Sequence, residues 1–251
     1  MNPTSGLPLV FALVLSLSTG FRALGEDLTQ DWAFIGEGQA ISGSPYGSKG
    51  APMLLQSKSA VVVDSSATPA NPFANSQRSL YIDQQPESAV SRIRIRPFPD
   101  EFPANGSYEI NFRVAEGRFR LDTGVVNLQW DPANDWAYLQ TDILFGFNFT
   151  ADETMQCKSA TGLRTPSVAA LSAGENYTFR VEWATEGDLV VFQFQLNGEP
   201  LTTREGSPFT QSVPKSKIGT ESLAISINVG SKEEPPAKVF IGNISATAGP
   251  P

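Results

Sequence analysis

The stretch Asn176–Leu201, NYTFRVEWATEGDLVVFQFQLNGEPL, leaves few folds open. Tyr177, Phe179, Val181 and Trp183 alternate with Thr178, Arg180 and Glu182. A period of two places one face of a strand in a core and the other in water. Glu186-Gly187-Asp188 supplies a turn. Val190, Phe192, Phe194 and Leu196 then form a second apolar face, opposed by Val191, Gln193 and Gln195. Asn197-Gly198 closes that strand with a dipeptide that tolerates the positive φ of a type I′ turn.

The same alternation recurs along the chain. Ala60–Val63 and Ser79–Asp83 read as strands, separated by a polar loop over Asp64–Gln77. Val90–Phe98 puts Ile93 and Ile95 inward and Arg92, Arg94 and Arg96 outward. That arginine row reads either as a solvated face that blunts an exposed strand or as a docking site for acidic polysaccharide. Asn105-Gly106 reads as a turn before the strand Tyr108–Ala115. Phe119–Val126 follows with Arg120 and Asp122 outward. Tyr138–Thr150 is the most apolar run, with Ile143, Phe145, Phe147 and Phe149 assigned to one side, as suits a central strand. Ser222–Val229 and Lys238–Thr247 complete the set, and Trp32–Ile35 reads as a short first strand. No segment keeps a helical period. About a dozen such strands predict an all-β jelly-roll β-sandwich of two antiparallel sheets, packed about 10 Å apart.

The N-terminus stands outside this pattern. Leu7–Leu17 is an apolar run shorter than the roughly 20 residues a membrane span needs. Ala23-Leu24-Gly25 is a small-x-small cleavage site, so residues 1–25 read as a signal peptide and 26–251 as a single domain. The expected location is secreted or periplasmic, with no membrane span after cleavage. Processing removes one cation, Arg22, leaving 17 cations against 26 carboxylates, a charge of −9. A chain this acidic is not expected to hold nucleic acid or an anionic membrane by bulk electrostatics.

Histidine is absent from all 251 residues. A Ser–His–Asp or Cys–His nucleophile and a His-ligated zinc or iron site are thereby excluded. Cys157 is the only cysteine, so no intrachain disulfide forms, and a buried thiol is expected. Retaining glycoside hydrolysis needs two carboxyls about 5 Å apart. Glu109 with Asp122, on two strands that could pair, is the best such pair; Arg113 and Arg120 beside them equally suit two solvated carboxylates.

The richest binding segment is Trp130–Tyr138, WDPANDWAY. Trp130, Trp136 and Tyr138 offer planes for stacking on sugar rings, and Asp131, Asn134 and Asp135 offer hydrogen bonds to hydroxyls. The same three oxygens suit Ca²⁺, for which the chain carries no ligand motif. Both tryptophans equally suit the end of a core, with the acidic residues in turns. Asn105, Asn148, Asn176 and Asn243 head Asn-x-Ser/Thr sequons.

Three segments together resemble a known family: Asn71–Phe73 with Ser79–Asp83 (NPF and SLYID), Gly174–Val181 ending in Leu196–Gly198, and the closing Val239–Thr247 (VFIGNISAT). They are similar to the concanavalin A-like lectin and glucanase superfamily, and more narrowly to laminin-G-like jelly rolls of secreted bacterial proteins. The resemblance implies a sandwich with one concave sheet and glycan or polysaccharide as partner. It also implies a catalytic Glu-x-Asp-x-x-Glu strand in glucanases, which this chain lacks. The reading is a secreted, non-catalytic recognition module; a glycan-active hydrolase or lyase, and a structural sandwich without a small ligand, are the alternatives.

Overall fold

A computed structural model of the chain describes residues 28–32, 38–39, 53–57, 59–85, 90–98, 101–126, 142–159, 162–230 and 236–249. The expected signal peptide and the Trp130–Tyr138 segment lie outside the described residues.

The alternating segments pair into two antiparallel sheets. The ten-stranded sheet runs β14 (Glu199–Pro200), β13 (Leu189–Leu196), β12 (Asn176–Glu186), β7 (Asn105–Glu116), β17 (Ala237–Ala248), β5 (Ser79–Gln84), β4 (Ala60–Val63) and β2 (Gly38–Gln39). On it, β1 (Leu28–Trp32) pairs β17 and β15 (Thr210–Pro214) pairs β13. The seven-stranded sheet runs β11 (Gly162–Arg164), β10 (Gln156–Ser159), β9 (Asp142–Thr150), β8 (Arg118–Val126), β16 (Ser222–Val229), β6 (Ser91–Ile95) and β3 (Met53–Gln56). A single helical turn, α1 (Lys215–Ile218), joins β15 to β16.

The β12–β13 hairpin forms as its alternation dictates, with Trp183 opposite Phe192 and Val181 opposite Phe194. Asn197 and Gly198 take φ of 53° and 82°, the two positive values of a type I′ turn. The Asn197 backbone N–H donates to the Thr178 carbonyl, and its side-chain oxygen accepts from the Thr178 N–H at 2.9 Å. Both closures tie the turn to β12 and set the register.

Between the sheets lies an aromatic core. Phe145, Phe147 and Phe149 project from β9 and meet the hairpin. Ring centroids of Phe145 and Phe192, Phe147 and Phe194, and Phe149 and Phe179 lie 5.0, 4.9 and 5.1 Å apart. Such offset and edge contacts add to the area they bury. One buried polar link crosses the same layer: the hydroxyls of Tyr108 on β7 and Thr123 on β8 lie 2.5 Å apart. Burial raises the Tyr108 phenol above its ordinary range. Cys157 also faces inward, and burial pushes its thiol up to about 12, so it stays protonated and unreactive at neutral pH.

Four expectations need correction. Arg96 does not join a solvated arginine row: it is buried, and its Nε donates to the Ser222 hydroxyl at 2.6 Å. Asn105-Gly106 opens β7 rather than turning, with Gly106 opposite Trp183 and Ala248. Glycine is required there by close approach: a Cβ would run into the Trp183 ring and the Thr247 carbonyl. Ile143 does not share the face of Phe145. Gly124 pairs Ile143 while Thr123 pairs Phe145, so Leu144 is the extra residue of a bulge. The bulge buries Leu144 and leaves Ile143 46% exposed. Glu109 and Asp122 do not pair: β7 joins β12 and β17 in one sheet, while β8 joins β9 and β16 in the other.

The two outer faces differ. The 64–77 loop folds over the ten-stranded sheet, where Phe73 packs against Phe240 and Tyr81 in a small satellite cluster. Asn71 holds that loop by donating from its backbone to Asp64 and from Nδ2 to the Ser76 carbonyl at 2.7 Å. The NPF segment is thus a structural cover. Among the described residues, no loop lies across the central strands of the seven-stranded sheet in this way.

Candidate functional site

The seven-stranded sheet sorts its side chains by parity. Leu121, Phe147, Ile227 and Ile93 point into the core, so their neighbours must point out. Strand register then aligns those neighbours into two adjacent rungs. One rung runs Lys158 (β10), Gly146 (β9), Asp122 (β8), Ser226 (β16) and Arg94 (β6). The next runs Gln156, Asn148, Arg120, Asn228 and Arg92 on the same five strands. Of these, Lys158, Asp122, Ser226, Arg94, Asn148, Arg120, Asn228 and Arg92 line a groove of about 670 Å³, together with Arg118 and Ile143.

Asp122 is the centre of the groove and is only 8% exposed. Arg120 Nε donates to its Oδ1 at 2.5 Å, and Asn228 Nδ2 donates to its Oδ2 at 3.3 Å. Burial raises the Asp122 carboxyl above its ordinary value; the Arg120 hydrogen bond and the charges of Arg120, Lys158 and Arg94 pull it back in part. Gly146 makes this arrangement possible, because a Cβ there would lie 2.1 Å from Asp122 Oδ1 and press on Arg120. The glycine is a seat for the ion pair, not a turn. Arg94 is lowered to about 10 by burial first and by the neighbouring Arg92 second, and so remains a cation at neutral pH.

The charge of the groove opposes that of the chain. Its described lining residues include five cations, Arg92, Arg94, Arg118, Arg120 and Lys158, and one carboxylate, Asp122. The whole sequence has 26 carboxylates and 18 cations. On the opposite sheet two cations face carboxylates. Arg180 Nε lies 2.8 Å from Glu182 and Lys238 Nζ lies 2.6 Å from Glu116. Glu109 belongs to that face, 3.8 Å from Arg180, on the other side of the sandwich from Asp122. The carboxylate pair expected of a hydrolase is therefore not assembled from these two residues. Among the described residues, Asp122 is the one carboxylate lining the groove.

Trp130, Asp131, Asn134, Asp135, Trp136 and Tyr138 lie outside the described residues. The segment that carries them connects Val126, the end of β8, to Asp142, the start of β9. These are two of the strands that build the groove. No three of His, Cys, Asp and Glu converge to hold a metal ion among the described residues, so the Ca²⁺ reading rests on that segment alone.

Lys158, Asn148, Ser226, Asn228 and Gly146 escaped the sequence reading. The signal for them was parity, since each flanks an inward-facing core residue. Parity does not tell which strands are neighbours.

No family model and no curated protein sequence matches the chain. Solved structures match its fold. A protein of unknown function from Shewanella oneidensis MR-1 superposes over 98% of this chain and 97% of its own, with a TM-score of 0.51 and 13% identity. Peanut lectin matches 89% of this chain and 97% of its own, at a TM-score of 0.48 and 9% identity. A sialidase matches 68% of this chain at a TM-score of 0.46 and 11% identity, and the chain spans 15% of the sialidase's length. With its two antiparallel sheets, the chain has the concanavalin A-like jelly-roll β-sandwich fold.

Proposed function

We propose that this protein is a secreted carbohydrate-recognition module that binds its ligand along the outer face of the seven-stranded sheet. One observation carries the reading: two rungs of outward residues cross five strands in register above an apolar core, all with hydrogen-bonding side chains except Gly146. Asn148, Asn228 and Ser226 offer both donors and acceptors, which matches hydroxyl groups. The groove extends across several strands, which suits an oligosaccharide better than a single small molecule. The reading is non-catalytic, with Asp122 held by Arg120 and Asn228 as part of the binding surface. Trp130, Trp136 and Tyr138, on the segment joining β8 to β9, are the proposed stacking residues, with Asp131, Asn134 and Asp135 orienting the sugar.

The test is a glycan array on the mature chain, with and without Ca²⁺, followed by the Asn148→Ala, Asn228→Ala double variant. The expected result is binding to a defined glycan set that the double variant loses while its thermal midpoint holds. An array without a single reproducible ligand, or binding that ignores the double variant, removes the reading. Trp130→Ala and Trp136→Ala should likewise abolish binding. A loss of about 3–5 kcal/mol of stability instead would make them core residues.

A further inference from the structure

Resting on that reading, we infer that the glycan held in this groove is polyanionic, a chain bearing carboxylate or sulfate groups, gripped by Arg92, Arg94, Arg118, Arg120 and Lys158.

The placement of the cations carries the inference. In the strand order β10-β9-β8-β16-β6, Lys158 sits on the first strand, Arg118 and Arg120 on the third, and Arg92 and Arg94 on the fifth. The strands between them contribute neutral Asn148, Ser226 and Asn228. Neighbouring strands lie ~4.8 Å apart, so the cation-bearing strands recur at roughly 10 Å. A row of positive charge spaced in this way, with amides and hydroxyls in the gaps, matches a linear chain that presents acidic groups and hydroxyls in turn. A lone small anion would need one converging cluster instead.

The energetics run the same way. Among the described lining residues, cations outnumber carboxylates five to one, and like charges this close repel. The lowered Arg94, with Arg92 as a cause beside burial, is one sign of that repulsion. An anionic ligand converts the repulsion into attraction. Guanidinium groups suit the task because their planar fork meets carboxylate and sulfate oxygens with two hydrogen bonds. Asp122 offsets one of the five cations through its ion pair with Arg120, and four positive charges remain in excess among the described lining residues. Nucleic acid fits less well: its charge density is far higher, and the overall excess of carboxylates opposes it.

The test is isothermal titration of the full mature chain with three matched glycans: an oligogalacturonate, its carboxyl-reduced neutral counterpart, and a sulfated oligosaccharide of similar length. Expected is at least tenfold tighter binding to one or both acidic chains than to the neutral one, weakening as salt rises. Which acidic chain wins identifies the anion. Arg92→Gln with Lys158→Gln should reduce acidic binding at least tenfold. Arg113→Gln, on the opposite sheet, should leave it unchanged. Equal or tighter binding of the neutral chain overturns the anionic assignment and leaves the carbohydrate reading standing. Failure of all glycans, together with an empty array, overturns both. Tighter binding of single-stranded DNA or of phosphatidylserine vesicles than of either acidic chain also overturns the inference.

Discussion

Asp122 carries most of the chemistry of the groove, and its protonation is linked to stability. Burial raises its folded value above the ordinary 3.8. Between those two values the native state holds more proton than the unfolded chain, so stability falls as pH rises. The contribution is complete below 3.8 and is lost once pH passes the folded value. Arg120, Lys158 and Arg94 face the carboxyl and limit the shift without reversing it. Urea titrations of wild type and Asp122→Asn at stepped pH should therefore show a stability difference that shifts against wild type as pH climbs above 4. A difference that moves the other way would mean that Arg120 dominates burial. At the same site, Gly146→Ala forces Asp122 and Arg120 apart, and should cost about 1–3 kcal/mol, as overpacking does. A neutral effect in the same titration would place Asp122 elsewhere.

That Asp122 and Arg120 point outward was legible in the sequence, because alternation around Phe119, Leu121 and Thr123 fixes parity. That Asp122 meets Asn228 and Gly146 was not. Those contacts join residues 106 and 24 positions apart, and no local pattern encodes which distant strands become neighbours. The same gap explains the Glu109–Asp122 expectation. Two consecutive strands pair as a hairpin more often than not, yet the Gly117 connection sends β7 and β8 into opposite sheets. Of the arginine row Arg92, Arg94 and Arg96, only the first two line the groove, Arg96 being buried against Ser222, and Lys158 and Arg118 join them only through the sheet.

At the scale of the element, β9 shows how far a period of two can be trusted. Phe145, Phe147 and Phe149 hold the expected face for three consecutive inward positions. One extra residue, Leu144, then reverses the parity of everything before it. The sequence DILFGF contains no proline and no turn dipeptide at that point, so the bulge had no local signal. The bulge predicts a sharp contrast within one strand. Phe147→Ala, at a fully buried site against Phe179 and Phe194, should cost about 3–5 kcal/mol. Ile143→Ala, on the groove side, should stay within about 0.5 kcal/mol. Comparable losses at both positions in denaturant titration would restore the unbulged strand. The hairpin partner behaves like Phe147: Phe194→Ala should lose a similar amount, because its ring touches Phe145, Phe147 and Phe209.

At the scale of the whole molecule, the two sheets are unequal in exposure but inseparable in stability. The inner face of the seven-stranded sheet is Phe145, Phe147, Phe149, Leu121, Ile225 and Ile227, and it is covered by the inner face of the other sheet. Neither could stand alone in water with that surface exposed. The cross-sheet rings and the Tyr108–Thr123 hydrogen bond tie strands that are far apart in sequence. The two sheets should therefore unfold as one unit, in a single cooperative transition. Trp183 is a suitable reporter, since its ring is buried beside Phe98 and Phe102 and its Nε1 donates to the Pro103 carbonyl at 2.8 Å. Far-UV dichroism reads the sheets as a whole, and fluorescence reads the surroundings of the tryptophans. The two signals should share one urea midpoint, in the mature protein and in a groove variant such as Lys158→Gln alike. Two resolved midpoints would mean that one sheet survives the loss of the other, and the single-domain reading would fail with it.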